Sequence, residues 1–315
     1  MKSHFEYSGL FPLFLASRPK FLVASISPVL VGSALGYAVS GSFNLGLFVL
    51  ALLAIMALHA GSNMANDYFD HLSGNDWANT NPTPFSGGSR YIQKGIVSPK
   101  SMLCLALAAL AIGSAIGLII IFLTKSLFIF VLGLLGLLGG FFYTAAPVKL
   151  GYRSAGECVI FLLFGLLPVY GSYYLQTGAI DTIPLLPALI VGILIFLVIL
   201  VNEFPDAVAD AAVKKKTLVV CLGVNSALWV YRIALIASFI IATAAILFYR
   251  LMFLAGLFYL ITLPIAIVAF KYVNKEDLVK PSQYRASQIT VLLHTIGSLA
   301  LAAGLLLYGL TATAV

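Results

Sequence analysis

Long apolar runs alternate with short polar connections along this chain. Nine runs, near residues 21–39, 45–65, 102–122, 127–144, 158–176, 183–202, 227–248, 251–271 and 288–308, stand out. A helix needs roughly 20 apolar residues to cross a bilayer. Within each run the apolar positions are continuous, without the two-residue alternation of a barrel strand. The pattern predicts an all-α, polytopic membrane protein of nine transmembrane helices. Very short links join the third run to the fourth and the seventh to the eighth. The polar connections are unequal. The longest, residues 66–101, holds Asn79, Asn81, Pro82, Pro84, Gly87 and Gly88 and reads as a loop with turns, with room for a short helix before Pro99. Residues 203–226 and 272–287 follow in length. Long connections in a compact protein are usually functional or disordered, and two of these adjoin unusual acidic segments, which favours function.

Composition strengthens the membrane reading. The chain is 61% hydrophobic and 9% charged, against roughly 25% charged in a soluble domain. Its mean hydropathy is +1.06. With nine spans and an N-terminus inside the cell, sixteen basic residues fall on the cytoplasmic side, among them Lys2, Arg18, Lys20, Arg90, Lys94, Lys214, Lys215, Lys216, Lys275 and Lys280. Only Lys125 and Arg250 fall opposite. This is the positive-inside bias of a plasma-membrane protein, and it leaves Thr311–Val315 outside. The net charge of +7 fits loops near anionic lipid and calls for no nucleic-acid partner. No cleavable leader is expected. Cys104, Cys158 and Cys221 are widely spaced in or near apolar runs and read as small interior residues.

Two acidic segments then change the picture. Asn66-Asp67-Tyr68-Phe69-Asp70, with Asp76 behind it, ends the second run. Asn202-Glu203-Phe204-Pro205-Asp206, with Asp210 four residues on, ends the sixth. Carboxylates beside a membrane core are costly and are functional candidates for that reason. Residues three and four apart share a helix face. Asn63, Asn66, Asp67 and Asp70 can therefore form one polar stripe, and Asn202, Asp206 and Asp210 another. Facing carboxylates repel unless a hard cation joins them. Mg²⁺ held by Asp67, Asp70, Asp76, Asp206 and Asp210, with a diphosphate, suits that arrangement. The two segments also form a weak internal repeat. One domain over 1–315 is expected, with halves near 18–144 and 157–271, a final helix near 288–308, and a shared central cavity.

Cations lie near both stripes. Arg90 and Lys94 follow the first, and Lys215, between Lys214 and Lys216, follows the second. A leaving diphosphate needs such charges. Arg90 sits in Gly87-Gly88-Ser89-Arg90, where paired glycines permit close backbone approach to an anion. Lys149 and Arg153, in Tyr143–Arg153 between the fourth and fifth runs, can add to the phosphate site. Tyr143 and Tyr152 can flank a carbocation. An interfacial aromatic belt with snorkelling cations explains any one of these equally well. His59 and His294 read as satisfied interior histidines, and His71 as a partner behind the site.

Together these residues resemble the UbiA superfamily of intramembrane prenyltransferases. Arg18-Pro19-Lys20 resembles that family's opening segment, Asn66–Asp70 its first motif, and Asp206-x-x-x-Asp210 with Lys215-Lys216-Thr217-Leu218 its second. The branch that prenylates 1,4-dihydroxy-2-naphthoate in menaquinone synthesis is similar also in Asp76, Tyr143-Thr144, Leu150-Gly151-Tyr152, Gly156-Glu157, Phe164-Gly165 and Tyr173-Tyr174. Two positions depart: Gly74 stands where many members carry a third Asp, and Lys214 where a Gly is common.

The resemblance implies an Mg²⁺-dependent polyprenyltransferase whose partners are a polyprenyl diphosphate, an aromatic acceptor and membrane lipid. Asp67, Asp70, Asp206, Asp210 and Tyr143 would serve catalysis. Arg18, Asn63, Asn66, Arg90, Lys94, Lys149, Arg153, Asn202 and Lys215 would bind diphosphate or acceptor. Another quinone or phenazine ring, or a glycerol-phosphate lipid, stays open as acceptor. A cation-coupled transporter is the alternative of a different class, but such sites lie near the midplane on broken helices rather than at span ends.

Overall fold

The computed structural model describes residues 11–313, apart from residues 81, 275–277 and 279–283. The expectations placed on Lys2, Asn81, Lys275, Lys280 and Ala314–Val315 lie outside the described residues. The described chain is helical, with no strand. A short helix α1 (Phe11–Ala16) precedes α2 (Val23–Ser40), α3 (Leu45–Ser73), α4 (Asn75–Ala78), α5 (Pro99–Thr124) and α6 (Leu127–Phe141). Then come α7 (Gly156–Thr177), α8 (Leu185–Ala212) and α9 (Leu218–Phe248). The last elements are α10 (Phe253–Leu260), α11 (Leu263–Tyr272) and α12 (Arg285–Thr313).

Among the described residues seven helices are long and apolar enough to cross a membrane, and eight if α10 and α11, bent by 50°, make one span. The protein is therefore a multi-pass membrane protein. Of the nine expected crossings the remaining one is α6, whose 15 residues reach about 22 Å, short of the roughly 30 Å hydrocarbon core. The short helix of the long connection is α4, directly after the first acidic segment, rather than one before Pro99. Cys104, Cys158 and Cys221 are exposed on the helical surface rather than interior, as thiols can be in a bilayer where the surroundings are apolar too.

Helix α8 is the axis of the packing: two thirds of its most apolar window is buried. Leu194, Leu197, Leu200 and Val201 sit in the main core with Tyr173, Tyr231 and Tyr259 from its neighbours. Helix α3 lies along α5, α2 lies against α7 and α12, and α9 lies against α8. Only 17% of the equivalent window of α3 is buried, so α3 enters the interior mainly with its polar end. Both acidic segments are continuous with their helices, which run several residues past the apolar stretches that predicted them.

A candidate active site at two helix ends

Gly74 closes α3 in the left-handed conformation, φ 81°, with its N–H bonded to the His71 carbonyl. A side chain there would be strained. Gly74 is thus a helix stop, and α4 turns the chain back so that Asp76 lines the same cavity as Asp70. The two acidic segments meet at Lys215, whose Nζ lies 3.7 Å from Asp70 Oδ2 and 3.5 Å from Asp210 Oδ1. Burial alone would favour the neutral amine, but Asp70 and Asp210 outweigh it and raise the Lys215 pKa well above its ordinary value. Side chains of α4 complete the join. Asn75 Nδ2 donates to Asp210 Oδ1 at 3.0 Å and Asn79 Nδ2 to Asp206 Oδ1 at 2.8 Å.

The glycine pair approaches an anion, as its composition suggested, but the anions are the protein's own carboxylates. Gly87 N–H donates to Asp206 Oδ2 at 3.0 Å. The φ angles are 76° at Gly87 and 74° at Gly88. A Cβ on Gly87 would meet Asn79 Nδ2 at 2.6 Å, and one on Gly88 would meet Asp76 Oδ1 at 2.9 Å and Asp67 Oδ1 at 3.2 Å. Backbone conformation and space therefore both demand glycine.

The cavity enclosed by these segments measures about 210 Å³, and Arg18, Asn63, Asn66, Asp70, Asp76, Tyr143, Asn202, Asp206, Asp210 and Lys215 line it. The other expected site residues stand outside the lining. Asp67 is 2% exposed, pairs with Arg18 and accepts from Ser89 N–H at 3.2 Å. Arg90 donates from Nη1 to the carbonyls of Asp76 and Asn79, so it braces the loop. Lys94 lines a neighbouring cleft. Lys149 rests 5.0 Å from the Tyr152 ring, and exposed Arg153 donates to the Val148 carbonyl at 2.8 Å. Tyr152 presents its hydroxyl rather than its face, donating to Asp70 Oδ1 at 2.7 Å.

Sequence reasoning passed over Asn75, Asn79, Gln93 and Glu203. Asn75 and Asn79 carry a signal in their four-residue spacing just after the Gly74 break. Gln93 had none: it donates to Asp76 Oδ2 at 2.9 Å and lies 3.5 Å from His71 Nδ1, which puts His71 behind the site as expected. Glu203 lines the cavity and is buried. His59 is satisfied, 2.7 Å from Ser25 Oγ. His294 Nε2 has no partner among the described residues, and both histidines line the cavity.

The donor set suits Mg²⁺. Asp76 and Asp206 have no cation within 4.0 Å among the described residues. Burial, and then the charges of Asp70 and Asp67, push Asp76 up to about 7. Asn66 Oδ1 and Asn202 Oδ1, at equivalent places in the two segments, are buried without a hydrogen-bond partner among the described residues. Among the described residues no three acidic, histidine or cysteine side chains converge tightly enough to chelate one ion unaided. Mg²⁺ ordinarily takes only one or two carboxylates, completing its shell with water and phosphate oxygens.

A second cavity of about 380 Å³ adjoins the first and shares His59, Ser62, Gly140, Leu163 and Phe164 with it. Its other walls are almost wholly apolar, and a Cβ at Gly117, Gly133 or Gly136 would meet nothing within 4 Å.

Comparison with known proteins agrees with this geometry. The fold is similar to that of a UbiA homolog from Archaeoglobus fulgidus solved with GPP and Mg²⁺, with TM-score 0.68 and 17% identity over 95% of this chain and 98% of that one. An apo UbiA homolog from Aeropyrum pernix aligns with TM-score 0.65 and 16% identity, over 91% of this chain and 97% of that one. The 1,4-dihydroxy-2-naphthoate octaprenyltransferase of Haemophilus influenzae is 38% identical over 66% of this chain and 68% of its own length. That of Escherichia coli is 30% identical over 82% and 83%. The model of the UbiA prenyltransferase family matches residues 25–287. A multi-pass helical protein that gathers two acidic helix ends against an apolar cavity, this chain belongs to the UbiA prenyltransferase family and is a membrane prenyltransferase.

Proposed function

We propose that the protein transfers a polyprenyl group from polyprenyl diphosphate to 1,4-dihydroxy-2-naphthoate, with Mg²⁺ as cofactor. The observation that carries this reading is the direct junction of the acidic cavity with the glycine-lined apolar one. The pair matches a substrate with a diphosphate head and a hydrocarbon tail. Asp70, Asp76, Asp206 and Asp210, with the unpaired oxygens of Asn66 and Asn202, would hold Mg²⁺, which supplies charge neutralisation to the diphosphate. Asp67 positions Arg18 at the cavity wall.

Lys215 and Arg18 take up charge as the allylic C–O bond breaks and its electron pair leaves with diphosphate. Tyr143 turns an aromatic ring toward the resulting cation. The electron-rich acceptor ring then forms the new C–C bond, and loss of its carboxylate as CO₂ restores aromaticity. The names of the H. influenzae and E. coli relatives support this acceptor. In the same reading α6 is a ninth, short crossing element. The charge bias sets the acidic face and the N-terminus in the cytoplasm and the C-terminus opposite, in the cell membrane. The two halves then descend from one repeated unit within a single domain.

The test is incubation of purified protein with Mg²⁺, prenyl diphosphates of several lengths and a panel of acceptors, reading diphosphate release and product mass. A prenylated, decarboxylated naphthalenediol is the expected product. Absence of both product and diphosphate release across the panel overturns the reading; product only with a phenazine, another quinone ring or a glycerol phosphate replaces the acceptor.

A further inference from the structure

Beside the acidic cavity lies a cleft of about 440 Å³ with the opposite electrostatic character. Arg18, Lys20, Arg90 and Lys94 contribute cations and Phe21 and Phe85 aromatic faces, and among the described residues no carboxylate lines it. The cleft is continuous with the main cavity, sharing Arg18, Phe21, Phe85, Ser86 and Gly88 with it.

The four cations are not equivalent. Arg18 is taken up by Asp67, and Arg90 by two backbone carbonyls. Lys20 and Lys94 are exposed, and among the described residues neither has a carboxylate within 4.0 Å. Lys20 is also oriented. Its Nζ lies 5.0 Å from the Phe21 ring centroid and 4.9 Å from that of Phe85. The two rings meet edge to face at 6.2 Å. An ammonium held by two ring faces still has donors to spare.

We propose that this cleft is the entry and docking site for an aromatic carboxylate, with its ring against Phe21 and Phe85 and its carboxylate on Lys20. The inference rests on the prenyltransfer reading above and names the residue that selects an anionic acceptor. The donor substrate already has partners for its head in the acidic cavity and for its tail in the apolar one. Of the cleft's cations, Lys20 and Lys94 therefore remain for the second substrate. A departing diphosphate or a lipid headgroup would use the cations but not the two rings between which Lys20 is fixed.

The test compares Lys20→Gln, Lys20→Glu and Lys20→Arg with the wild type on two acceptors, 1,4-dihydroxy-2-naphthoate and 1,4-dihydroxynaphthalene, which lacks the carboxylate. The ratio of kcat/KM for the two, measured on one preparation, is independent of the folded fraction. Lys20→Gln should lower the preference for the carboxylated acceptor about tenfold. Lys20→Glu should lower it further, and Lys20→Arg should restore most of it. Dihydroxynaphthoate binding to the full-length protein in detergent, measured by fluorescence without prenyl diphosphate, should weaken in parallel. A ratio and a binding constant unchanged in Lys20→Gln overturn the inference and leave the prenyltransfer reading intact. An increase confined to the KM for prenyl diphosphate also overturns it, assigning the cleft to the donor or its leaving group. If the wild type prenylates neither compound, the prenyltransfer reading falls with respect to these acceptors. Lys20-dependent binding then still sustains the aromatic-carboxylate site, and its absence ends that too.

Discussion

The two acidic segments look alike in sequence and are held in different ways. In the first, Asp67 pairs with Arg18, while Asp70 takes Lys215 and the Tyr152 hydroxyl. In the second, Asp206 accepts from the Asn79 amide and Gly87 N–H, while Asp210 accepts from the Asn75 amide and shares Lys215 at 3.5 Å. Lys215 thus serves both segments, but the first has a second cation in Arg18, whereas Asp206 of the second is held by neutral donors carried on the loop that follows the first. Neutral donors orient a carboxylate without cancelling its charge, which leaves Asp206 ready for a metal. The first segment, conversely, positions the cations that a leaving diphosphate needs. Similar motifs have divided one task between them.

Substitutions can break this division, beginning with the carboxylates themselves. Asp70→Asn and Asp206→Asn should each lower kcat about 10³-fold, read as diphosphate release, with the folded protein retained on size exclusion in detergent. Near-normal turnover in either would remove it from the metal site. Lys215→Gln removes a side chain that touches both segments and should cost about 10²-fold in kcat. A loss in Asp210→Asn/Lys215→Gln smaller than the product of the single losses would identify the pair as one unit. Asp67→Asn should act chiefly on stability, lowering it by about 2 kcal/mol because Arg18 is left partly buried without its counter-charge. A thermal melt in detergent measures this, and Arg18→Gln in the same background should recover part of it. Should Asp67→Asn instead abolish turnover with an unchanged melt, Asp67 ligates metal despite lying behind the cavity wall. The smallest effect is expected from Asn75→Ala, about fivefold in kcat/KM, the scale of one lost hydrogen bond to a charged group. A larger loss would show that the amides of α4 hold the second segment more firmly than the comparison implies.

Much of the acidic site was legible because carboxylates are so costly beside apolar runs that their mere presence marks them. Asp70, Asp206 and Asp210 stand out on that ground and Lys215 as a cation beside them, and all four line the cavity. Asp67 was grouped with them because it shares the stripe, yet one residue of helical rotation turns it toward Arg18 and the Ser89 amide. Arg90 was sought as an anion binder; its guanidinium braces loop carbonyls, because a left-handed residue, φ 65°, turns it back over the chain. Spans were placed well by hydropathy but their ends were not. Hydropathy falls where polar residues begin, whereas α3 and α8 continue through those residues by satisfying their backbone groups internally.

By itself the sequence determined that this is a helical membrane protein with two acid-bearing helix ends and enough resemblance to place its family. Those properties are local: continuous apolar runs dictate helices in lipid, and motif spacing sets which residues share a face. Tertiary structure decided which acids face the cavity, that Asp76 enters it by way of the Gly74 turn, and that Asn75 and Asn79 clasp the opposite segment. It also set a basic, aromatic cleft beside an acidic cavity. These depend on contacts between elements distant in sequence, the clasp of Asn75 on Asp210 spanning 135 positions. No window of sequence records such a contact, since it exists only once the helices have packed.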